Sequence, residues 1–280
     1  MKSACGLRRY LKVVLLWCSI SVTWSYSAYA FEPSRAQDSN LPQHKVAVII
    51  DDFGNGQKGT EEILSMPVKL TVAVMPFLKT SHSDAELAHK QGHDVLVHMP
   101  MEPKQGNVSW LGPGAITSKL SDAEIRKRVE DAIDDIPHAI GMNNHMGSRI
   151  TGDERIMSIV LQVCKERGLL FVDSRTNYRS VAGKLSAKIG MPAIENNIFL
   201  DDVHTRSHIT KQLQAVENWA KEHQICVTIG HVGTQGEKTA AVLKNRIPEM
   251  KQRVQFIGIS DLAKANWGWS PTPIFPSNNQ

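Results

Sequence analysis

Five short stretches of this sequence place metal-binding or proton-transferring side chains where apolar runs end: Asp51-Asp52, His98, Asn143-Asn-His145, Asp173 and His231. A catalytic zinc or similar ion takes about three nitrogen or oxygen ligands and keeps a further position for water. One Asp and two His supply such a set, and water held there ionises near neutral pH. The second carboxylate of an adjacent pair can then act as general base. A histidine across the site can hand a proton to a departing amine or alcohol. Together these parts hydrolyse an amide or an ester. Singly, each residue has an ordinary reading: an Asp after a strand often caps the next helix, and a lone His is often a satisfied structural side chain. His82, His89, His93 and His223 fall on polar helix faces or loops and read as solvated. The recurrence carries the inference, because a continuous apolar strand has no local reason to end in a histidine or a carboxylate pair.

The elements that must position these groups are short β runs alternating with amphipathic helices from Lys45 onward. The expected strands are Lys45–Asp51, Leu70–Met75, Asp94–His98, Ala139–Met142, Leu169–Asp173, Ile225–Gly230 and Gln255–Ile259, with Pro192–Ile194 as a further candidate. Most are nearly continuous in Val, Ile, Leu and Ala, as in parallel strands buried on both faces. Ser83-Asp-Ala-Glu86 and Ser121-Asp-Ala-Glu124 both have capping-box spacing. Ile125, Val129, Ala132, Ile133 and Ile136 form one helical stripe. Ile156, Ile159, Val160, Val163 and Cys164, ended by Gly168, form a second, and Ile209, Leu213, Val216 and Trp219 a third. Seven or eight such units predict an α/β fold, a (β/α) barrel of about seven strands, complete or incomplete; an open doubly wound sheet is the other arrangement. In a parallel barrel the C-terminal strand ends open on one face, where catalytic groups gather. The Gly-rich loop Lys104–Ser118, with Trp110, is expected to line that cleft.

The barrel domain is expected over residues 45–264 of the 280, preceded by a linker at 31–44 and followed by an irregular tail at 265–280. Residues 1–30 read as a secretory signal: Lys2, Arg8, Arg9 and Lys12, then the apolar run Val13–Cys18, then small residues at Ala28-Tyr-Ala30. The chain is therefore expected to be exported, periplasmic or secreted, with no stable membrane span after cleavage near Phe31. Removing the four basic residues of that segment from the chain's 32 leaves 28, equal to the 28 acidic residues. Such a balance points away from nucleic acid as a partner. Cys164 lies on an apolar helix face and Cys226 within an apolar strand, so both read as buried free thiols rather than as a disulfide or a metal site.

The segments Ile49-Ile-Asp-Asp-Phe-Gly54, Val97-His-Met-Pro-Met-Glu102 and Asn143-Asn-His-Met-Gly-Ser148 resemble the divergent branch of the polysaccharide deacetylase (NodB-homology) superfamily. The similarity runs from about Lys45 to Ala263. It implies a (β/α) barrel of about seven strands and metal-dependent removal of acyl groups from glycans. It would make Asp51 the base, Asp52 a ligand and His231 the counterpart of the family's catalytic acid. Phe171-Val-Asp-Ser174, with Asp173, stands in the place of the family's fourth motif. Two features depart from the usual pattern. The second motif normally has two histidines four residues apart, whereas His98 is followed at that interval by Glu102; and Asn143-Asn-His145 replaces an Arg-Pro-Pro-Tyr type sequence. His145, from the adjacent strand, is inferred to replace the missing ligand, with Glu102 as the alternative. Arg149 or Arg175 could hold the base aspartate, which the usual motif does with its own arginine.

The expected activity is thus hydrolysis of acyl groups on an envelope glycan, or another envelope polymer, with a divalent cation, zinc in the first instance. One alternative is a non-catalytic carbohydrate-binding or assembly protein on a degenerate barrel. Another is a metal-dependent phosphoesterase, against which the scarcity of Arg and Lys at the strand ends speaks. Oligomeric state and exact substrate are not encoded in any motif of the chain.

Overall fold

Nine parallel strands alternate with eight α-helices in the computed structural model, which describes residues 44–275. The elements run β1 (His44–Phe53), α1 (Thr60–Leu64), β2 (Thr71–Val74), α2 (Ser81–Lys90), β3 (Asp94–Met101), α3 (Asp122–Asp135), β4 (Ala139–Met146), α4 (Glu154–Glu166) and β5 (Leu170–Asp173). They continue with α5 (Ala182–Lys188), β6 (Ile194–Glu195), β7 (Ile198–Phe199), α6 (Arg206–His223), β8 (Ile225–His231), α7 (Gly236–Met250), β9 (Val254–Ile257) and α8 (Ile259–Trp267). The expected signal segment lies outside the described residues, as do all but the last residue of the expected linker and the end of the tail. No helix among the described residues is long and apolar enough to cross a membrane.

The sheet follows the order β6-β5-β4-β3-β2-β1-β8-β7, so β6 and β7 occupy opposite ends of the path. Yet only Asn196 and Asn197 separate them in sequence. So short a link spans at most about 11 Å, and the sheet must curl until its two edges nearly meet. Asn196 N–H donates to the Asp173 carbonyl and Asn197 N–H to that of Val227, tying the dipeptide to both edges. The fold is an incomplete (β/α) barrel. β9 pairs with His44–Ala47 while β2 pairs with Ile49–Phe53, and β8 runs along Lys45–Asp51. β2 and β9 therefore share one edge of β1.

Strand alternation divides the core in two. Val46, Val48, Ile50, Val95, Val97 and Met99 pack outward against the helices. Ala47, Ile49, Ala73, Leu96, Leu170, Val172, Val227 and Ile229 fill the barrel, and Ile259, Leu262 and Ala263 of α8 close it from the N-terminal end. α8 thus takes in residues 265–267, which the sequence assigns to the irregular tail; Trp269 packs against the inner cluster.

The predicted stripe of α3 is buried, as is that of α4 except for the partly buried Ile159, and Gly168 (φ 68°) ends the latter. The capping box at Ser121 and Glu124 forms, whereas the one expected at Ser83 does not: the N-cap of α2 is Thr80, three residues earlier. The Ser81 hydroxyl donates to the Met75 carbonyl and accepts from Leu78 N–H, which fixes the first helical turn against the end of β2. His93 is also not solvated. It is 4% exposed and bridges Leu70 N–H and the Leu64 carbonyl.

Candidate metal and active site

The interior alternation carries directly into the site. Ile49 leads two residues on to Asp51, Leu96 to His98 and Ile229 to His231, so these polar groups continue the inward-facing columns at the C-terminal rim. His98 and Asn143 are register partners, as are Asp51 and His231. β3 and β4 both extend beyond their predicted ends, so His98 and His145 lie within strands rather than after them. Asp51 and Asp52 would face opposite sides of a regular strand. Asp52 instead takes a left-handed φ of 70°, at a register shift between Ile50 and Phe53, and both carboxylates line one cavity of about 210 Å³. Asp tolerates that backbone region better than bulky or β-branched residues do.

Three side-chain atoms converge in this cavity. Asp52 Oδ1 lies 3.0 Å from His145 Nδ1 and 3.3 Å from His98 Nε2, and the two nitrogens are 3.1 Å apart. The surrounding hydrogen bonds decide where the protons sit. Asn143 Nδ2 donates to Asp51 Oδ1 (2.9 Å), since a carboxylate only accepts, so Asn143 Oδ1 must face His98 Nδ1 (2.7 Å) and accept from it. His98 Nε2 is then left with a lone pair. His145 Nε2 donates to the Trp110 carbonyl (3.1 Å), leaving a lone pair on Nδ1 as well. Both imidazoles, in their neutral forms, thus turn unprotonated nitrogens towards a carboxylate oxygen that is buried and has no hydrogen-bond partner among the described residues.

Three acceptors at such separations repel one another unless a cation joins them. Ligands about 2.1 Å from a tetrahedral ion stand roughly 3.4 Å apart, close to the observed triangle. The set of one carboxylate and two imidazoles, each imidazole held from its far nitrogen, fits zinc or a similar divalent ion. Protonation shows the same demand for positive charge. Burial disfavours an ionised Asp52, but with no cation present hydrogen bonds from His145 and His98 in their protonated forms outweigh it and hold its carboxyl well below the usual range. Burial likewise opposes a charged His98, and the Asp51 and Asp52 carboxylates override it, raising its pKa.

Asp51, 2% exposed, sits beside the triangle with Oδ2 3.7 Å from His98 Nε2. Burial is the largest influence on it and raises its pKa, which makes it a better proton acceptor than a solvated carboxylate. Opposite, His231 Nδ1 donates to Asp201 Oδ1 (2.8 Å), and Asp201 Oδ2 accepts from His231 N–H (2.8 Å) and the Thr239 hydroxyl (2.7 Å). Burial disfavours the imidazolium, but the Asp201 bond and charge, with Asp52 and Asp51 behind them, raise the His231 pKa to about 9. Phe199 stacks on the ring, 6.1 Å between centroids. A second cavity of about 290 Å³ shares Asp52 and His231 and continues the cleft towards His204 and Gln235.

Residues 48–263 match the family model described as divergent polysaccharide deacetylase. The chain belongs to that family. Its relatives include an uncharacterized protein of Haemophilus influenzae, 34% identical over 84% of this chain and 82% of the relative, and the uncharacterized protein YibQ of Escherichia coli, 30% identical over 83% and 72%. A crystal structure of an uncharacterized protein from Agrobacterium tumefaciens superposes with a TM-score of 0.74 at 20% identity, covering 81% of this chain and 92% of that one, which shows a shared fold.

Several positions in this member of the divergent polysaccharide deacetylase family differ from the sequence expectation. Asp173 does not line the cavity. It shares the outward parity of Phe171, one residue away from the inward Val172, and its Oδ1 accepts from Arg175 N–H in a local turn. Glu102 is also outside the cluster, bound by Ser118 N–H (2.6 Å) and Arg149 Nε (3.1 Å). Because β3 stays extended to Met101, a residue four beyond His98 lies roughly 13 Å along the chain direction. His145, opposite Pro100 on β4, is a near diagonal neighbour instead. Neither arginine holds Asp51: Arg149 binds Glu102, Arg175 pairs with Glu195 (3.4 Å), and the amide of Asn143 does the work. Asp201 was not foreseen. It ends the segment after β7, a strand too short for any periodicity to reveal.

Proposed function

We propose that this chain is an exported, metal-dependent deacetylase that hydrolyses acyl groups on an envelope glycan, with zinc at Asp52, His98 and His145. The convergence of three lone pairs on one point, beside a buried carboxylate, carries this reading. Asp52, His98 and His145 would hold a divalent cation, which when bound would supply Lewis acidity towards a substrate carbonyl and bring the ionisation of water near neutrality. Asp51, held by Asn143 and raised in pKa by burial, takes the proton of the attacking water. His231 keeps its Nδ1 proton on Asp201, so Nε2 is the atom that delivers a proton to the departing amine or alcohol. A barrel that only bound glycan would need neither proton carrier, and the buried Asp201 behind His231 supports catalysis.

The test is metal analysis of the purified protein coupled to acetate release from acetylated glycans and aryl acetates. About one equivalent of metal and measurable release are expected, with Asp51→Asn keeping the metal and losing about 10²–10⁴-fold in turnover. A metal-loaded protein inert on every substrate, or full activity in Asp51→Asn, overturns the reading.

A further inference from the structure

We propose that the departing sugar of the substrate occupies the cavity of about 290 Å³ lined by Asp202, His204, Thr234 and Gln235, and that this cavity takes a neutral sugar rather than an acidic one. The assignment rests on the hydrolase reading above. Asp52 and His231 line both this cavity and the smaller one beside His98 and His145, so the two meet at the cluster. The atom that receives the His231 proton joins the acyl carbon to the sugar. The two parts of the substrate diverge from that atom, and each cavity takes one of them.

The walls decide which part goes where. In the smaller cavity Met146 and Phe199 give apolar surface, while the Thr176 hydroxyl and Asn144 Nδ2 both donate to the Met146 carbonyl (2.6 and 2.8 Å). That wall suits an acyl chain. In the larger cavity the polar groups are free. Gln235 precedes α7 but makes no side-chain bond to the helix, and Thr234 and His204 are exposed. None of these three side chains has a hydrogen-bond partner among the described residues. The hydroxyls of a sugar lose water on binding and need new partners, which a carboxamide, a hydroxyl and an imidazole supply. The wall is set before any ligand arrives: Lys238 Nζ of α7 donates to the His204 carbonyl (3.0 Å), and a Cβ at Gly236 would collide with the Lys58 carbonyl oxygen, so the start of α7 packs close on the segment after β1. Charge sets the class of sugar. Three aspartates and no Lys or Arg are among the described residues lining the cavity. Asp201 is engaged by His231 and Asp52 belongs to the cation set, which leaves Asp202, an exposed carboxylate 2.7 Å from His208 Nε2. A carboxylate on the sugar would meet like charge there, the repulsive element by which a site rejects a wrong ligand.

Gln235→Ala tests this on the metal-loaded protein, with an N-acetylglucosamine tetramer and 4-nitrophenyl acetate as probes, since the second carries no sugar. The ratio of kcat/KM for the tetramer to that for the aryl ester should fall about tenfold, as when one hydrogen bond to the bound sugar is removed. Calorimetry of the tetramer on metal-free protein should show Kd raised by the same factor. Tm should hold within about 2 °C, because no capping bond is lost. The wild type should favour the neutral tetramer over its O-carboxymethylated derivative by about tenfold, and Asp202→Asn should narrow that preference. An unchanged ratio and Kd in Gln235→Ala, or a preference that is absent or survives Asp202→Asn intact, overturns the assignment while the hydrolase reading stands. So does a wild type that cleaves the aryl ester but not the tetramer. A wild-type protein that binds metal but turns over neither probe sinks both.

Discussion

Replacing Asp201 by Asn should move the pH at which His231 loses its proton. Asp201 is 3% exposed and spends both oxygens on His231 and Thr239, and no other acceptor touches His231 Nδ1 among the described residues. In the metal-free protein the His231 pKa stands at about 9 against an ordinary 6.5, with burial working against the rise. Asn keeps an acceptor for Nδ1 but removes the charge, so burial is less opposed and the pKa falls. A cation at Asp52 would offset the smaller contributions of Asp52 and Asp51 in both proteins, leaving the Asp201 charge as the difference between them.

The sign follows from the acid role. His231 works protonated, so activity is present below its pKa and is lost as pH rises through it. With the alkaline limb moved to lower pH in the variant, kcat/KM at pH 8 should fall roughly tenfold, while the two proteins stay within a few-fold of each other at pH 6. The same shift is readable without any substrate, from the Cε1–H resonance of His231 across pH 5.5 to 9.5. Coincident titration curves for wild type and Asp201→Asn would refute the reasoning, provided that both bind metal equally.

The ligand set makes a sharper demand: Asp52→Ala, His98→Ala and His145→Ala should each abolish stoichiometric metal uptake by mass spectrometry, whereas Glu102→Ala should not; uptake surviving in all three cluster variants would end the assignment. Glu102→His should fail to rescue His145→Ala, because an extended β3 holds residue 102 too far from His98, and recovered binding would show that the strand bends. Asn143→Leu removes the group that orients both His98 and Asp51, and second-sphere losses of this kind weaken metal affinity by about 10–100-fold; calorimetry showing unchanged affinity would argue that packing alone fixes the imidazole. Burial pushes the thiols of Cys164 and Cys226 up to about 12, so peptides containing them should remain unlabelled by a thiol reagent at pH 8 until the protein is denatured, and native labelling would contradict their placement.

Much of the architecture was legible because burial on both faces of a parallel strand leaves a run of Val, Ile and Leu that local reading detects. β1, β3 and β8 announced themselves this way, and the polar residue that interrupted each run marked the barrel rim. β6 was legible only as the candidate Pro192–Ile194, which meets the strand at Ile194, and β7 was not legible at all. Each has two residues, and their strand character comes from the neighbours β5 and β8 rather than from any pattern of their own. The partner of His231 was hidden for the same reason, since Asp201 stands just after β7.

Parity explains why the structure places Asp173 and His231 differently. Asp173 and His231 both end apolar strands, but counting in twos from the inward residues separates them: Ile229 leads to His231, while Val172 leads to Ser174 and leaves Asp173 on the outer face. The strand-end rule alone cannot make that distinction, and the period of two can. Applied to β4, the same count from Asn143 reaches His145, so both face the barrel interior from one strand. One side chain orients the first imidazole, and the other becomes the second imidazole of the cluster. A single inward column on β4 therefore carries both the orienting amide and a metal-facing nitrogen, which is how the site dispenses with a histidine at position 102.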